Sequence, residues 1–463
     1  MAFNEEVNRL CEAAFNAMSR NDFPTACQTF EKALLIEPNE ALAWNNRGLC
    51  LLNLNHPFDA VMNIDKAIAV NPKEAAYYCN KGAALYELNL LDEALSCYDT
   101  AVTLNPEFPE AWNNIGNTKK YQGKLPEAIA AYKKAVESNP DYVDARLHLS
   151  FAQLMNGEFE EGWKEFEWRW KSPQLPPRGL KMPQWNGESL AGKTILVYGE
   201  QGFGDSLQFM RYAPLIKKLY SDATVYLEVR LPLKRLMETI KDIDKVFALG
   251  EKLPGGIDYV IPCMSLPRIF GTTIDNIPWN GPYFHIDEHD SSRWISSLDR
   301  LPKGVKVGLC WAGMSRDGNP LAQLVDQKRS TSLQMFAPAA KIPGISWVSL
   351  QKGPSTDQLK QCPAGMVIGD FTEEFYDFYD TGSMIQNLDL VIGVDTAVIH
   401  LAAALGKPTW MLNRWSGCWR WLQDKTDTPW YPSMRIFNQP APGAWGPVIE
   451  EVAVALRQFV QRA

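Results

Sequence analysis

Three short segments of the chain combine residue types that can hold an anion or move a proton. The first is GEQGFGDSLQF at 199–209, where Gly202 and Gly204 permit a tight turn and close approach of another molecule to the backbone. Asp205 follows at the expected start of a helix, so it either serves as a base in a cleft or caps that helix. The motif is not GxGxxG followed by a suitably spaced acid, which argues against a dinucleotide site.

The second segment is QKRSTSL at 327–333, which follows the apolar run KVGLCWAG. Lys328 and Arg329 can bracket a diphosphate, with arginine supplying forked donors and lysine a point charge. The alternative is an ordinary solvated loop.

The third segment is LDLVIGVDTAVIHLAAALGKPTWML at 388–412, which predicts a strand, a turn and a helix. Asp395 and Thr396 lie at the helix start, where unpaired backbone amides and the helix dipole favour an anion. His400 lies one turn further along, on the same side as Thr396. A structural role for His400 is the alternative to a role in binding.

Short β-branched runs that alternate with amphipathic stretches predict an α/β architecture from residue 193 onward. Such alternation gives a mainly parallel sheet in each of two lobes, with a cleft between them, and ligands bind beyond the carboxyl ends of the strands. Helices are predicted at 205–219 and 231–241, and strands at 193–199, 223–229, 305–311, 345–351, 366–371, 388–394 and 407–413, and in VFAL, DYVIPC and IPWNGPYFHI.

The front of the chain is an array of 34-residue repeats. Prolines recur at that spacing, as do two sets of alanines, a set of glycines and a set of aromatic residues. A period of 34 with small residues at fixed positions predicts paired antiparallel helices of the tetratricopeptide type, each pair ended by a proline. We place the units at 7–40, 41–74, 75–108 and 109–142, with a degraded fifth from about 143.

Asn46, Asn80 and Asn114 recur at one position of the first helix in successive units. An amide both donates and accepts hydrogen bonds, so a ladder of amides can hold a peptide backbone without reading its sequence. This pattern resembles the asparagine ladder of the eukaryotic-type protein O-linked N-acetylglucosamine transferases. Asparagine is also common at this repeat position where no peptide is bound.

These features divide the chain into a repeat domain at 1–170, a proline- and glycine-rich linker at 171–192, an N-terminal transferase lobe at 193–298 and a C-terminal lobe at 299–463 that ends in a helix. Residues 1–171 hold 16 basic and 25 acidic residues, and the remainder holds 30 and 29. An overall net charge of −8 argues against a dedicated nucleic-acid binder.

Composition and cysteine spacing narrow the class of protein further. No apolar run approaches the ~20 residues of a membrane span, and the start of the chain lacks the pattern of a signal peptide. The nine cysteines form no CxxC pair, which argues against a structural zinc site and a disulfide framework. We therefore expect a cytoplasmic protein that does not insert into a membrane.

Taken in order, the segments GEQGFGDSLQF, KRSTSL, SLQKG, VDTAVIHLAAALGKPTW and WRWLQDKTDTPWYPSMRIF resemble the bacterial heptosyltransferase-like glycosyltransferases, in the subfamily whose catalytic module follows tetratricopeptide repeats. The resemblance implies a two-lobed glycosyltransferase B fold that binds a nucleotide sugar mainly in the C-terminal lobe. It also implies inverting transfer without a metal or other cofactor. Chains with this domain pairing include flagellin O-glycosyltransferases, so Ser or Thr of a protein such as flagellin is the acceptor that the resemblance implies.

The resemblance assigns roles to individual residues. Asp205 falls on the position of the catalytic base and Lys328 on the lysine at the donor phosphates. Ala397 stands where the family often has glycine, and an alanine still leaves room for a phosphate. The residues expected at the donor are Gly204, Lys328, Arg329, Gln351, Asp395, Thr396, Ala397 and His400.

Two other functions stay open from the sequence alone. One is transfer to lipopolysaccharide or another glycan, with the repeats serving assembly. The acidic front half argues against it, because a lipid acceptor usually calls for basic or amphipathic contact with the membrane. The other is a non-catalytic repeat scaffold with a degenerate transferase domain.

Overall fold

The computed structural model describes residues 2–173, 175, 178–314 and 320–462. The chain divides into two compact units. The first comprises Met1–Asn156 and Glu165–Pro176, and the second comprises Gly157–Lys164 and Pro177–Ala463.

Paired antiparallel helices make up the first unit, and their bounds match the predicted repeats. Two helices correspond to each of the four predicted units, although the first helix begins at Ala2, before the predicted start at residue 7. Another pair follows from residue 143, and the last helix of that pair lies mainly in the second unit. The helices are α1 (Ala2–Ser19), α2 (Phe23–Ile36), α3 (Ala41–Asn53), α4 (Pro57–Val70), α5 (Ala75–Glu87), α6 (Leu91–Leu104), α7 (Pro109–Tyr121), α8 (Leu125–Ser138), α9 (Val143–Met155) and α10 (Phe159–Phe166).

Small residues let the two helices of a unit approach closely. A β-carbon added to Gly82 would lie 2.5 Å from the Tyr98 ring, and one added to Gly116 would lie 2.4 Å from the Tyr132 ring. A glycine is therefore needed where these aromatic rings cross the first helix. The alanines that recur every 34 residues are fully buried, namely Ala26, Ala60, Ala94 and Ala128 and the set Ala33, Ala67, Ala101 and Ala135.

The recurring prolines follow the second helix of each unit. A helix ends two residues before each one, and the residue immediately before Pro106, for example, has an extended backbone. A proline disfavours the helical conformation in the residue that precedes it, which explains the stop. The Pro106 carbonyl then accepts a hydrogen bond of 2.8 Å from Trp112 Nε1, so the aromatic residue of the next unit is fixed to the turn.

The second unit contains two sheets in which every described pairing is parallel. The first has the order β3-β2-β1-β4 and belongs to the predicted N-terminal lobe. Its strands are β1 (Thr194–Tyr198), β2 (Thr224–Val229), β3 (Lys245–Ala248) and β4 (Tyr259–Pro262). Its helices are α11 (Phe203–Phe209), α12 (Ala213–Leu219), α13 (Lys234–Met237), α14 (Leu266–Ile269), α15 (Glu288–Ser292) and α16 (Ile295–Leu298).

The second sheet has the order β10-β9-β8-β5-β6-β7 and lies in the predicted C-terminal lobe. Its strands are β5 (Val305–Cys310), β6 (Ile345–Ser349), β7 (Ile368–Asp370), β8 (Leu390–Val394), β9 (Thr409–Asn413) and β10 (Met434–Asn438). Its helices are α17 (Pro320–Arg329), α18 (Ala337–Ala340), α19 (Phe378–Ile385), α20 (Ala397–Ala404) and α21 (Trp445–Arg462). Apolar side chains of its strands and of α21 form the main core of this lobe.

Three local predictions were wrong. The segment IPWNGPYFHI at 277–286 is irregular rather than a strand, since it contains two prolines and a glycine that interrupt pairing. The helix predicted at 205–219 is broken by a 3-10 turn at Met210–Tyr212, and the one predicted at 231–241 is reduced to a turn and the four residues of α13. Strand β10 was not predicted, because its polar Arg435 and Asn438 weaken the apolar pattern.

The predicted linker contains a buried anchor. The described residues 178–192 carry no helix or strand, yet Trp185 is buried and its backbone N–H donates to the Val260 carbonyl of β4. Arg178 forms an ion pair with Glu228, a buried residue of β2. This part of the segment therefore packs against the first sheet, beside β4.

The fifth helical pair contributes to the second unit through its last helix. Phe159 of α10 stacks on Trp430, with ring centroids 6.1 Å apart. Trp163, one turn later, packs edge to face against Trp419 at 5.3 Å and against Phe209 at 6.1 Å. These aromatic residues bind residues 157–164 into the core of the second unit.

Candidate active site

The order of strands in the second sheet locates a crevice. From β5 the chain proceeds through β6 and β7 on one side, and then returns to place β8, β9 and β10 on the other side. The connections after β5 and β8 therefore leave the sheet in opposite directions. Such a reversal opens a crevice at the carboxyl ends of the two strands, which is where open parallel sheets bind ligands.

Thr396 and Ala397 border this crevice at the start of α20. Thr396 is the N-cap residue of the helix, with an extended backbone, and the residues from Asp395 to Val398 are half-buried. The first amides of a helix have no partner within it, so this end can accept an anion. Thr396 and Ala397 thus lie at the edge of the crevice, and their binding of a phosphate stays a prediction.

Asp395 and His400 face inward from the same helix start. The Asp395 carboxylate accepts a hydrogen bond of 2.9 Å from Trp421 Nε1, and its other oxygen lies 3.7 Å from His400 Nε2. His400 is buried, and its Nδ1 is 3.0 Å from the Tyr431 hydroxyl. The two residues therefore orient α20 from behind, rather than presenting their polar atoms to the crevice.

The electrostatic surroundings keep Asp395 ionised. Burial by itself would raise the pKa of the Asp395 carboxyl, but the nearby His400 imidazole, the Trp421 N–H and the Arg329 charge together hold that pKa well below its usual value. These partners stabilise the half-buried Asp395 carboxylate in its ionised form, so Asp395 and the residues around it form one polar unit.

Arg329 joins the two sides of the crevice. Its Nη1 donates a hydrogen bond of 3.0 Å to the Asp395 backbone carbonyl, and its Nη2 forms an ion pair with Asp326. Gly313, in the loop after β5, leaves room for this side chain, because a β-carbon there would lie 2.6 Å from Arg329 Nε. Lys328, in contrast, is exposed and has no hydrogen bond or ion pair with the described residues.

Gln351 lies behind the crevice. Its side-chain oxygen accepts hydrogen bonds from the backbone N–H groups of Trp311 and Ala312, at 3.1 and 2.9 Å. Its amide nitrogen donates to the carbonyls of Ala312 and Lys352. The buried amide thus holds the loop after β5 in place. Both polar atoms of the Gln351 side chain are used in these hydrogen bonds, so Gln351 shapes the crevice from behind.

Gly204 and Asp205 come from the opposite lobe and meet α20. A β-carbon on Gly204 would lie 2.8 Å from His400 Cδ2, so α11 approaches the histidine ring closely enough to exclude any side chain. Asp205, at the third position of α11, accepts a hydrogen bond of 2.7 Å from the Gly202 N–H. The N-cap residue of α11 is therefore Gly202 and not Asp205, which instead closes a capping box from the third helical position.

Arg420 is the principal site residue that the sequence reasoning missed. Its Nη2 forms an ion pair with Asp205, its Nε donates to Gln208 Oε1 at 2.8 Å, and its Nη1 lies 2.9 Å from Cys418 Sγ. Arg420 is 8% exposed although it carries a charge. The only sequence signal was its place in the tryptophan-rich run WRWLQ, which indicates packing as readily as a site.

A second ion-pair cluster joins the lobes at another point. The buried Asp380 carboxylate in α19 pairs with Arg235 and Arg293, both from the N-terminal lobe. Arg235 also pairs with Asp377 at 2.8 Å. Each lobe thus supplies both a carboxylate and an arginine to ion pairs between the lobes, since Asp205 of the N-terminal lobe pairs with Arg420 of the C-terminal lobe.

The asparagines of the predicted ladder make contacts inside the repeat array. Asn80 Nδ2 donates to Asn45 Oδ1 of the preceding repeat at 2.9 Å, and Asn114 Nδ2 lies 3.6 Å from Cys79 Sγ, also one repeat back. Asn46 Nδ2 donates to the Leu42 carbonyl of its own helix at 2.8 Å. Asn80 and Asn114 thus contact the preceding repeat through their amide nitrogens, whereas Asn46 bonds within its own helix, and none of these described contacts uses the side-chain oxygen of the three residues.

No group of three or more His, Cys, Asp or Glu side chains in the described part of the chain is arranged to hold a metal ion. Among the same residues, no helix has both the length and the apolar character that crossing a membrane requires.

Family comparisons agree with the two halves of the chain. The profile of glycosyltransferase family 9 (heptosyltransferase) matches residues 377–414, from α19 through β8 and α20 to the end of β9. Tetratricopeptide repeat profiles match 29–62, 75–108 and 109–142. These matches fit a tetratricopeptide-repeat glycosyltransferase. The matched transferase segment contains Asp395, Thr396 and His400.

A curated relative matches about two thirds of this chain. The protein FlbA of Caulobacter vibrioides is 28% identical over 327 residues, which cover 65% of this chain and 53% of that protein. The chain thus spans about half the length of the relative that it matches.

Several solved structures resemble part of the chain. The crystal structure of MamA has 22% identity and a TM-score of 0.31, covering 34% of this chain and 92% of that one. The structure of PilF from Pseudomonas aeruginosa has 19% identity and a TM-score of 0.36, covering 48% and 87%.

Proposed function

We propose that the chain is an inverting, metal-independent glycosyltransferase that moves a sugar from a nucleotide sugar to Ser or Thr of a protein acceptor held by the repeats. The observation that carries the proposal is the switch-point crevice, where the start of α20, Arg329 and the loop after β5 converge. A nucleoside diphosphate suits this place, because helix amides and basic side chains both stabilise phosphate charge.

The basic groups available to the diphosphate come from two elements. Lys328 is exposed at the end of α17, on the β5 side of the crevice. Arg414 follows β9, whose Leu412 pairs with Val394 of β8, so Arg414 and Thr396 each come two residues after this pair of neighbouring strand residues. Arg414 is half-buried and has no hydrogen bond or ion pair with the described residues, so we add it to the proposed donor site.

Asp205 is the proposed base. An acceptor hydroxyl has to lose its proton as it attacks the anomeric carbon, and a carboxylate at the cleft can take that proton. Arg420 and the Gly202 N–H each occupy one Asp205 oxygen. A carboxylate has about four lone-pair sites, so these two contacts still leave capacity for the acceptor hydroxyl.

Transfer itself is tested with the full chain and four donors, UDP-N-acetylglucosamine, GDP-mannose, ADP-heptose and dTDP-rhamnose. Flagellin prepared without modification is the first acceptor, and intact mass is the measurement. We expect one donor to add its sugar mass to Ser or Thr, with the anomeric configuration inverted. Transfer to lipopolysaccharide but not to protein would favour the glycan alternative, and no binding of any nucleotide sugar would favour the scaffold.

Metal dependence is tested in the same assay. The proposal assigns the leaving group's charge to Lys328, Arg329, Arg414 and the α20 amides, so activity should persist in excess chelator. A strict requirement for added magnesium or manganese would contradict that assignment.

Acceptor binding by the repeats is tested with two matched variants. Asn80→Ala removes the amide proposed to hold the peptide, whereas Asn45→Ala breaks the same bond between repeats and leaves the Asn80 amide in place. We expect Asn80→Ala to raise the KM for the protein acceptor and Asn45→Ala to leave it close to the parent value. Equal effects of both variants would assign Asn80 to repeat packing alone.

A further inference from the structure

Arg420 connects the two lobes at the point where the reaction is proposed to occur. It reaches from the 3-10 turn Trp419–Trp421 of the C-terminal lobe to Asp205 and Gln208 on α11 of the N-terminal lobe. The next residue, Trp421, donates to Asp395 at the start of α20. One short turn therefore holds both the proposed base and the helix that faces the donor phosphates.

The Arg420 guanidinium is fixed in orientation. Gln208 accepts from its Nε, and the Trp419 ring lies under it with 4.4 Å between Cζ and the ring centroid. Cys418 accepts from Nη1, and Asp205 supplies the carboxylate. A buried charge held by this many partners keeps its geometry, and its only carboxylate partner in the described hydrogen bonds is Asp205.

The chemistry of transfer moves one negative charge past this guanidinium. The acceptor proton passes to the Asp205 carboxylate, the acceptor oxygen forms a bond to the anomeric carbon, and the bond from that carbon to the diphosphate oxygen breaks. The electron pair of the broken bond leaves on the nucleoside diphosphate. Asp205 thereby becomes neutral while the diphosphate gains a charge, and Arg420 remains positive throughout.

We propose that Arg420 is a positioning residue for this reaction: it orients the Asp205 carboxylate before proton transfer, and its charge, no longer balanced by Asp205 afterwards, favours the departing diphosphate. This inference rests on the proposed function. A residue that only held the two lobes together would keep the same electrostatic surroundings during turnover. Arg420 instead loses the opposing charge of Asp205 in each turnover.

Other charged or titratable groups face α11 from the elements packed against it. His400 and Asp395 lie on the side of α20, and Glu200 precedes the glycine loop. Arg211 and Tyr212 are in the following 3-10 turn, and Cys263 begins the turn after β4. None of them forms an ion pair with Asp205 in the described structure, so a change at Arg420 alters the carboxylate's charged neighbour directly.

The test compares the full chain with Arg420→Gln, Arg420→Lys and Gln208→Met, using the panel donor that gives the highest turnover. For Arg420→Gln we expect kcat to fall about 100-fold. We also expect the acidic limb of the pH profile of kcat to shift to higher pH than in the parent chain. A carboxylate that loses a cationic neighbour is protonated more readily, which gives the direction. The donor Kd should stay within about twofold, because the ground-state phosphates are held elsewhere.

The other variants separate charge from orientation. Arg420→Lys keeps the charge, so it should restore part of kcat and return the acidic limb toward the parent position. Gln208→Met keeps Arg420 but removes the group that orients it, so kcat should fall with the limb unmoved. Arg435→Gln, which breaks an exposed pair with Glu451 in the same lobe, is the control and should match the parent.

The possible outcomes are distinct. If the parent chain neither transfers nor hydrolyses any sugar nucleotide, the proposed function fails, and the role of Arg420 fails with it. If the parent is active and folded Arg420→Gln keeps both its kcat and its pH profile, the inference about Arg420 is overturned and the proposed function stands. If Arg420→Gln does not fold, the Arg420→Lys variant decides the question. Parent kcat and an unchanged pH profile in Arg420→Lys would support the role of the charge. A kcat as low as that of Gln208→Met, with the acidic limb of the pH profile shifted, would overturn it.

Discussion

At the scale of single residues, His400 shows how a polar side chain beside the candidate site can stabilise the fold. Its ring is enclosed by Tyr431, by Trp421 at a centroid distance of 5.3 Å, and by the bare backbone of Gly204. The ring thus fixes the distance between α11 and α20. The glycine and the histidine depend on each other, which neither motif reveals alone.

Gly204→Ala tests this dependence. The new methyl group would lie 2.8 Å from His400 Cδ2, and the ring cannot turn away without breaking its contact with Tyr431. We expect a loss of about 1–3 kcal/mol in the free energy of unfolding, as for other overpacked cores, together with reduced donor turnover. Urea unfolding measures the first effect.

Gly255→Ala is the matched control for that substitution. No atom lies within 4 Å of the position that its β-carbon would take. Equal stability of the two alanine variants would show that the His400 ring yields to the methyl group, and that the close approach is not needed.

Sequence reasoning located the residues of the crevice but not their orientations. Asp395, Thr396 and His400 were found because a strand, a turn and a helix follow each other in one segment. Which of them faces the crevice depends on Trp421 and Tyr431, which lie 26 and 31 residues from their partners. Arg420 and Asp205 are 215 residues apart, and no local pattern links them.

At the scale of elements, the repeat helices follow their sequence period more closely than the strands and helices of the second unit do. The period fixes buried alanines, glycine contacts and turns, and the turn residues Asn21, Asn55, Asn89 and Gly123 all have positive φ. The irregular segment at 277–286 and the broken helix after α11 carry no such repetition. Their conformations depend on tertiary contacts, such as the hydrogen bond from Tyr283 to the Leu207 carbonyl.

His148 occupies, in the fifth repeat, the position that Asn114 holds in the fourth. Its Nδ1 lies 2.8 Å from Asn113 Oδ1, so it continues the contacts between repeats. Burial lowers the pKa of His148 from 6.5 to about 3, with a smaller effect of Lys120 in the same direction. The folded repeat domain therefore holds this histidine neutral across the acidic range.

The low pKa of His148 in the folded chain predicts that the repeat domain loses stability in acid. Below pH 6.5 the unfolded chain binds a proton at His148 that the folded chain does not, so the free energy of unfolding falls as the pH falls toward 3. The slope is about 1.4 kcal/mol per pH unit, or about 2 kcal/mol between pH 6.5 and pH 5. Urea unfolding followed by helical circular dichroism at pH 7 and pH 5 measures it.

His148→Asn should remove most of that pH dependence, because asparagine is the residue that the preceding repeats use at this position. His56→Asn, at an exposed site in the same domain, should leave it unchanged. A His148→Asn variant with the parent slope would assign the acid sensitivity to other groups.

At the scale of the whole molecule, the boundary between the units does not follow the boundary between the repeats and the transferase. Residues 157–164 belong to the second unit, although α10 is the last helix of the fifth repeat. The sequence placed the end of the repeat domain at 170, because α10 shares the helical pattern of the repeats. The aromatic side chains of α10 attach it to the second unit. The sequence does not reveal this, because their partners Phe209, Trp419 and Trp430 are distant along the chain.

Two truncated chains test the boundary. A chain that starts at 157 keeps Phe159 and Trp163, whereas one that starts at 172 loses both. Because removing a buried Phe or Trp side chain costs about 3–5 kcal/mol, we expect only the longer chain to melt cooperatively and hydrolyse the donor. It should still fail to modify a protein acceptor, since the repeats no longer raise the local acceptor concentration.

Trp163→Ala in the full chain is the companion variant. It should lower the melting temperature of the transferase unit and leave the KM for the acceptor unchanged. A chain from 172 that melts like the one from 157 would show that α10 is dispensable for the second unit.

The contacts between repeats also bear on how such a chain can change its length. Asn80 binds Asn45, Asn114 lies beside Cys79, and His148 binds Asn113, so each of these units contacts the preceding one from the same repeat position. Removing or duplicating one 34-residue unit would rejoin surfaces that already fit, without altering the crevice or Arg420. Gene duplication within the array therefore supplies a route by which descendants of one chain acquire longer or shorter repeat arrays beside an unchanged second unit.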